Sequence, residues 1–256
     1  MNTDNRSLAR EVVPKVYQLM LGGRSAHSYV LKGRRTNVLI DSGLPSHWDA
    51  QLAALAEVGL KPADINLVLL THEHIDHAGG ATLFPSTTLI GAHRLAASKL
   101  LVKDEFALMN QAFALSLDDF YIDLLLAEGT EIDLGDFRLR VIHTPGHCSG
   151  AVCFLETNHG LLFSGDTVMA HGVIGGVLGS GNISDYLDSV RHLATLRVNK
   201  ILPGHGRVST VPDADIKRAI ERLELLHEES KILFDAVRHS QDSFDQIVRS
   251  LRNLNM

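Results

Sequence analysis

Apolar residues in the first part of the chain fall in short runs, not in helical spacing. "KVYQLML" (15–21), "HSYVLK" (27–32) and "TNVLID" (36–41) each read as a strand. "HWDAQLAALAEVG" (47–59) predicts a helix that opens after Pro45-Ser46 and stops at Gly59. "INLVLL" (65–70) reads as a buried strand and "TTLIGA" (87–92) as another. Residues 93–128, rich in Phe, Leu and Met, predict helix. Strands return at 131–134, 137–143, 151–157 and 160–165. A glycine-rich loop, "HGVIGGVLGSGN" (171–182), precedes a helix at 184–197 with Ser184 as its N-cap, and "KILP" (200–203) adds a strand. Beyond residue 207 the pattern is helical to the end. Strands mixed with helices in this way predict an α/β sandwich, two sheets inside and helices outside. Residues 1–210 are expected to form one domain, with 211–256 a helical extension packed on it.

Composition narrows the setting. Of 256 residues, 45% are hydrophobic, enough for a sizeable core. A net charge of −6 gives no global basic character for holding nucleic acid. The N-terminal stretch is polar without the apolar region of a signal peptide, and no run is long and apolar enough for a membrane span. Cys148 and Cys153 are the only cysteines and make no disulfide framework, so a cytoplasmic home is expected. The 14 histidines are an excess for this length and need a reason.

Much of that excess is concentrated. "THEHIDHAGG" (71–80) puts His72, His74, Asp76 and His77 directly behind an apolar strand. His147 in "TPGHCSG", Asp166 in "FSGDT" and His205 in "PGHG" each follow a further strand, with a glycine alongside. Loops at strand ends on one edge of a sheet system converge, and the glycines permit tight turns. Together the set is five imidazoles and two carboxylates, with no lysine or arginine inside the motifs. Left unpaired, such a cluster would be costly to bury. Divalent metal removes that cost: imidazole and carboxylate suit zinc first, with iron or manganese as alternatives.

These four motifs resemble the series found in metallo-β-lactamase-fold hydrolases, over residues 12 to 208. The resemblance implies an αββα sandwich with two divalent metals on one edge. His72, His74 and His147 would hold the first metal, Asp76, His77 and His205 the second, and Asp166 would bridge them. Asp41, in "NVLIDSG", would support the site. Enzymes of the family that open β-lactams mostly lack the bridging aspartate, whereas branches cleaving thioesters, lactones, phosphodiesters or RNA keep it. The later part of the chain is similar to the glyoxalase II-like, lactonase and endoribonuclease-like branch. Two departures matter. Thr167, Val168 and Met169 stand where quorum-signal lactonases often place a tyrosine, and the tail's Lys217, Arg218, Arg222 and Lys231 read as helix-pairing residues, not a peptide clamp.

The expected activity is hydrolysis of a small ester, thioester or lactone by metal-bound hydroxide, with Asp76 as the catalytic carboxylate. A nuclease on the same fold is the alternative, and the acidic net charge argues against it. Several residues carry open readings. Cys148 is a small turn residue or a thiolate ligand. His171 and His27 face either substrate or solvent. The apolar segment 106–126 forms core, a homodimer contact or a lid over a small-molecule substrate. Residues 172–181 lack a Walker lysine and read as an apolar pocket wall.

Overall fold

The computed structural model describes residues 7–115 and 119–253. Residues 1–6 of the polar start, 116–118 inside the apolar 106–126 segment and 254–256 of the expected extension lie outside the described residues. Two sheets form the centre. In the first, β1 (Ala9–Val13), β2 (Val16–Leu19), β3 (Ser28–Lys32), β4 (Asn37–Ile40), β5 (Leu67–Leu69), β6 (Leu89–His93) and β7 (Leu124–Leu126) lie side by side in chain order. Pairing is antiparallel from β1 to β4 and parallel from β4 to β7. The second sheet takes β8 (Glu131–Asp133), β9 (Arg138–His143), β10 (Val152–Glu156), β11 (Leu161–Gly165) and β12 (Lys200–Pro203), in the order β12-β11-β10-β9-β8. β11 and β12 are parallel, and the other neighbours antiparallel.

The inner faces meet in one core. Leu31, Val38, Ile40 and Leu69 from the first sheet interleave with Leu139, Val141, Phe154 and Phe163 from the second. Full burial of each such side chain contributes about 1.5–3 kcal/mol. Tyr29 crosses the gap: its hydroxyl donates to the Pro203 carbonyl at 2.7 Å, and its ring meets Phe163 edge-on. Helices α1 (Trp48–Glu57), α2 (Ile75–Ala78), α3 (Arg94–Leu101), α4 (Glu105–Leu108) and α5 (Asn110–Phe113) belong to the first half of the chain. Ala54 and Leu55 of α1, Ala97 and Leu100 of α3 and Leu108 of α4 cover the outer face of the first sheet. On the second, α6 (Ile183–Leu193) lays Tyr186, Leu187, Val190 and Leu193 against Ile142, Leu155 and Leu162. The first turns of α7 (Pro212–Asn253) add Ile216, Ala219 and Leu223 to the same cluster. The layers are therefore helix, sheet, sheet, helix, as expected.

Three local expectations are corrected. The stretch 93–128 is not wholly helical: Leu124–Leu126 pairs in parallel with β6 as an edge strand, since backbone pairing there outweighs the propensity of three leucines. β1 also forms where no strand was expected, joined to β2 as a hairpin. Asn182, not Ser184, caps α6: its side chain accepts from the Ser184 and Asp185 amides at 2.8 and 3.1 Å.

Topology sets where the chemistry falls. β4 and β5 point the same way, as do β9, β11 and β12. Each of these strands ends just before a motif residue: Asp41, Thr71-His72, Thr144–His147, Asp166 and His205.

Candidate metal centre

The structure brings all the candidate ligands to one edge of the sandwich. The ligand atoms of His72, His74 and His147 lie within 4.8 Å of one another, as do those of Asp76, His77 and His205. Asp166 sits between the two groups. Its Oδ1 is 3.4 Å from His77 Nε2 and 3.9 Å from His205 Nε2, while its Oδ2 is 3.8 Å from His147 Nε2. His72, His74, His77 and His147 are buried, and the cluster opens on the side of the part-exposed His205.

The partners of each imidazole decide which nitrogen carries its proton. Thr71 Oγ1 donates to Asp41 Oδ2 at 2.8 Å, so its lone pair accepts from His72 Nδ1 at 3.0 Å. His77 Nδ1 donates to the same Asp41 oxygen at 2.8 Å, and His147 Nδ1 donates to the Gly176 carbonyl at 3.0 Å. In all three rings the neutral tautomer therefore leaves Nε2 bare and turned into the cluster. Two of those bare nitrogens converge on one atom: His74 Nδ1 lies 3.0 Å from both His72 Nε2 and His147 Nε2. A single N–H on His74 can satisfy one of them, not both. His77 Nε2 and Asp166 Oδ1 are buried without any hydrogen-bond partner, and so is His74 Nε2. Inward lone pairs with outer nitrogens tied to carboxylate, hydroxyl and carbonyl are the arrangement of a cation site. The residues present fit divalent metal.

Electrostatics agree. Burial and the neighbouring imidazoles of His147 and His77 push His74 down to about 3, and burial with the other histidines holds His72 well below its usual range. His77 is opposite in sign. Burial lowers it, but the carboxylates of Asp166, Asp41 and Asp76 outweigh burial and pull it well above its ordinary value. A proton there stands on the Nε2 that a dication would otherwise take. The burial of much of its side chain raises Asp166, yet His77 and the other rings hold its carboxyl far below the usual range.

Asp41, expected in a supporting role, is the anchor under the motif. It accepts from the Thr71 amide, the Thr71 hydroxyl and His77, all at 2.8 Å. Cys148 is buried, and burial beside Glu73 holds it as a thiol well above its usual range, which favours the turn reading over a thiolate ligand. His27 is part-buried, and its ring Nε2 contacts the Gly206 carbonyl at 2.9 Å, bracing the His205 loop. His171 lies on the rim of a groove of ≈ 550 Å³ that begins at His205. Of the tail cations, Lys217, Arg218 and Lys231 pair along the helix, whereas Arg222 donates to the Gly172 carbonyl instead. The apolar 106–126 segment divides: Leu108 and Phe120 are core, and Phe106 and Tyr121 are exposed.

One network had no signature in the sequence. Glu73, between the two leading histidines, is fully buried and accepts from Lys99 Nζ at 2.6 Å and from Ser180 at 3.2 Å. Lys99 also donates to Ser149 at 2.6 Å. It ties α3, the His147 loop and the glycine-rich loop to the opening motif. A pairing across 26 positions has no spacing rule to reveal it.

This fold and this edge cluster define a metallo-hydrolase. The chain belongs to the metallo-beta-lactamase superfamily, whose family model matches residues 21–205. It is 31% identical to an acyl-coenzyme A thioesterase, MBLAC2, of Gallus gallus, over 72% of this chain and 73% of that protein. It is 29% identical to a probable metallo-hydrolase, MJ0888, of Methanocaldococcus jannaschii over 73% of this chain and 90% of the other. An atrochrysone carboxyl ACP thioesterase of Aspergillus fumigatus matches at 29% over 80% of this chain and 58% of its own length. Among solved structures, a metallo-beta-lactamase family protein from Thermus thermophilus superposes with a TM-score of 0.67 at 21% identity, covering 84% and 81% of the two chains. That likeness carries the fold alone.

Proposed function

We propose that this hydrolase cleaves small acyl thioesters, with esters and lactones as chemically related substrates, at a centre of two divalent metals. The observation that carries the reading is the inward turning of Nε2 of His72, His77 and His147, each ring fixed by a partner on its other nitrogen. His72, His74 and His147 would hold one metal, Asp76, His77 and His205 the other, and Asp166 would offer an oxygen to each. Zinc suits this donor set, and iron and manganese are the alternatives. Metals bound there supply Lewis acidity, polarising a carbonyl and acidifying water. The chain's own residues do the rest. Asp76 lies 3.1 Å from His205 and is held ionised: burial raises its carboxyl, but His77 and the bond to His205 prevail. It can accept a proton from the attacking water and return one to the departing sulfur. Thioester is favoured among the acyl substrates because two of the similar proteins are named thioesterases.

The test is metal analysis followed by turnover. Preparations should carry two metal equivalents, lose thioester hydrolysis on chelation and regain it with zinc. Acyl chains of rising length should bind progressively better if the exposed Phe106 and Val177 border the substrate. Two added carbons then lower KM by roughly tenfold, at about 0.8 kcal/mol for each buried methylene. Hydrolysis that survives complete metal removal, or cleavage of an RNA oligomer in place of thioesters, would overturn the reading.

A further inference from the structure

The groove beside His205 is lined by Met169, Ala170 and Val173 and also by His171 and Arg207. Many surface cations of the chain are paired: Lys15 with Asp136, Arg35 with Asp133, Arg191 with Glu224, Arg218 with Asp215. Among the described residues, neither Arg207 nor Arg222 has a carboxylate partner. Both instead clasp one turn, Ala170–Gly172: Arg207 donates to His171 Nε2, and Arg222 to the Gly172 carbonyl. The turn is tightly held. His171 takes φ 64°, a conformation that costs a non-glycine residue about 1 kcal/mol or more. A Cβ on Gly172 would meet Arg218 Cβ at 2.5 Å and the Asp215 carbonyl at 2.7 Å, so the turn lies flush on α7. A strained turn packed on α7 and Arg207, a guanidinium without a carboxylate partner, therefore line the same groove as His205, with Arg222 bonded to that turn, in a chain of net charge −6.

We propose that Arg207, with Arg222 behind the same turn, forms a subsite for an oxyanion carried by the substrate, phosphate or carboxylate. The inference rests on the hydrolase reading and adds a substrate class to it: a molecule with a cleavable carbonyl, an apolar stretch and a negative group. Guanidinium is the side chain suited to that group, since its planar fork matches both oxyanions.

Equilibrium binding to the zinc-loaded protein tests it without turnover. Coenzyme A, glutathione and pantetheine each present one thiol to the metals and differ in charge: phosphate, carboxylate and none. By titration calorimetry at low salt, one of the charged thiols should bind about tenfold tighter than pantetheine, as one charge-assisted contact allows. Coenzyme A as the tighter ligand assigns phosphate; glutathione assigns carboxylate. Arg207→Gln should narrow the preference about tenfold, Arg222→Gln should narrow it less, and raised salt should do the same to the wild type. Lys217→Gln, which removes a charge paired with Glu221, should leave it intact. Pantetheine binding as tightly as both charged thiols, or an unchanged preference in folded Arg207→Gln, would overturn the subsite. A protein that shows the preference yet hydrolyses no acyl derivative keeps the subsite and loses the thioesterase reading.

Discussion

Asp41 shows how far one carboxylate can govern a site it never enters. It fixes the proton of His77 directly and that of His72 through Thr71. Asp41→Asn keeps the shape but presents an amide that can turn its own N–H toward His77 Nδ1. The ring would then shift its proton to Nε2, into the position proposed for the second metal. Loss of such an outer partner typically costs 10–100-fold in metal affinity, so zinc titration should show about that weakening, larger for the site of His77 than for that of His72. Equal affinities in mutant and wild type would mean that the Asp41 bonds follow the ring orientation without setting it. At this scale the sequence speaks clearly where a residue's type announces its chemistry, as for the histidines behind their strands. It is silent on Glu73 and Lys99, whose roles exist only once α3 crosses behind the motif.

Elements matter because strand ends hold these side chains at fixed separations, and small residues set the separations. Gly204 directly follows β12, donates its amide to the Gly165 carbonyl at 2.8 Å, and has no room for a side chain. A Cβ there would stand 2.3 Å from His77 Cε1 and 2.9 Å from Asp166 Oδ1. Gly204→Ala must therefore drive apart two candidate ligands on opposite sheets. We expect stability to fall by about 1–3 kcal/mol, the usual range for overpacking, and metal stoichiometry to fall with it. Denaturant unfolding and metal analysis on the same preparation measure both, and full stoichiometry in the variant would show that the edge can relax. The strands that deliver ligands were readable from their apolar runs and trailing glycines. β7 was not, because an edge strand of three leucines owes its state to a neighbour's unsatisfied backbone and not to its own pattern. The α6 cap falls on Asn182 and not Ser184 for a related reason: Asn and Ser both cap, and only the local backbone decides between them.

Across the whole molecule, burying so many imidazoles links folding to pH. His72 and His74 are held low in the metal-free fold, His74 at about 3, whereas in the unfolded chain both take up protons near the ordinary value of about 6.5. Below that pH the unfolded chain binds protons that the folded chain refuses, so stability falls, by up to about 1.4 kcal/mol per pH unit for each ring. His77 has the opposite sign, but its contribution is already complete below about 6.5 and fades only as pH rises toward its raised value. The lowered carboxyls of Asp76 and Asp166 act below the ordinary carboxylate range, under this window. The metal-free protein should therefore lose stability steadily from pH 6.5 to pH 5, as followed by urea midpoints. A midpoint that is level or rises toward pH 5 would show that the rings are protonated within the fold. The layered architecture behind this effect was foreseeable from the alternation of runs and helices. The count of buried rings was not, since burial is a property of the closed sandwich.

The order of the strands carries one more consequence. The first sheet uses only residues up to Leu126, and the second begins at Glu131. His72, His74, Asp76 and His77 hang from the first, while His147, Asp166 and His205 hang from the second. Each half of the chain thus carries only part of the donor set proposed for each metal. Severed between residues 127 and 130, the protein would become a two-part lock with the proposed ion as its key. The two fragments, each exposing one inner face, should associate weakly when mixed and firmly when zinc is added, with hydrolysis returning in step. Size-exclusion chromatography with and without chelator would read this out, and association indifferent to zinc would mean that the apolar faces alone hold the halves together. Fused to two other proteins, such halves would act as a coincidence detector whose signal a chelator can erase.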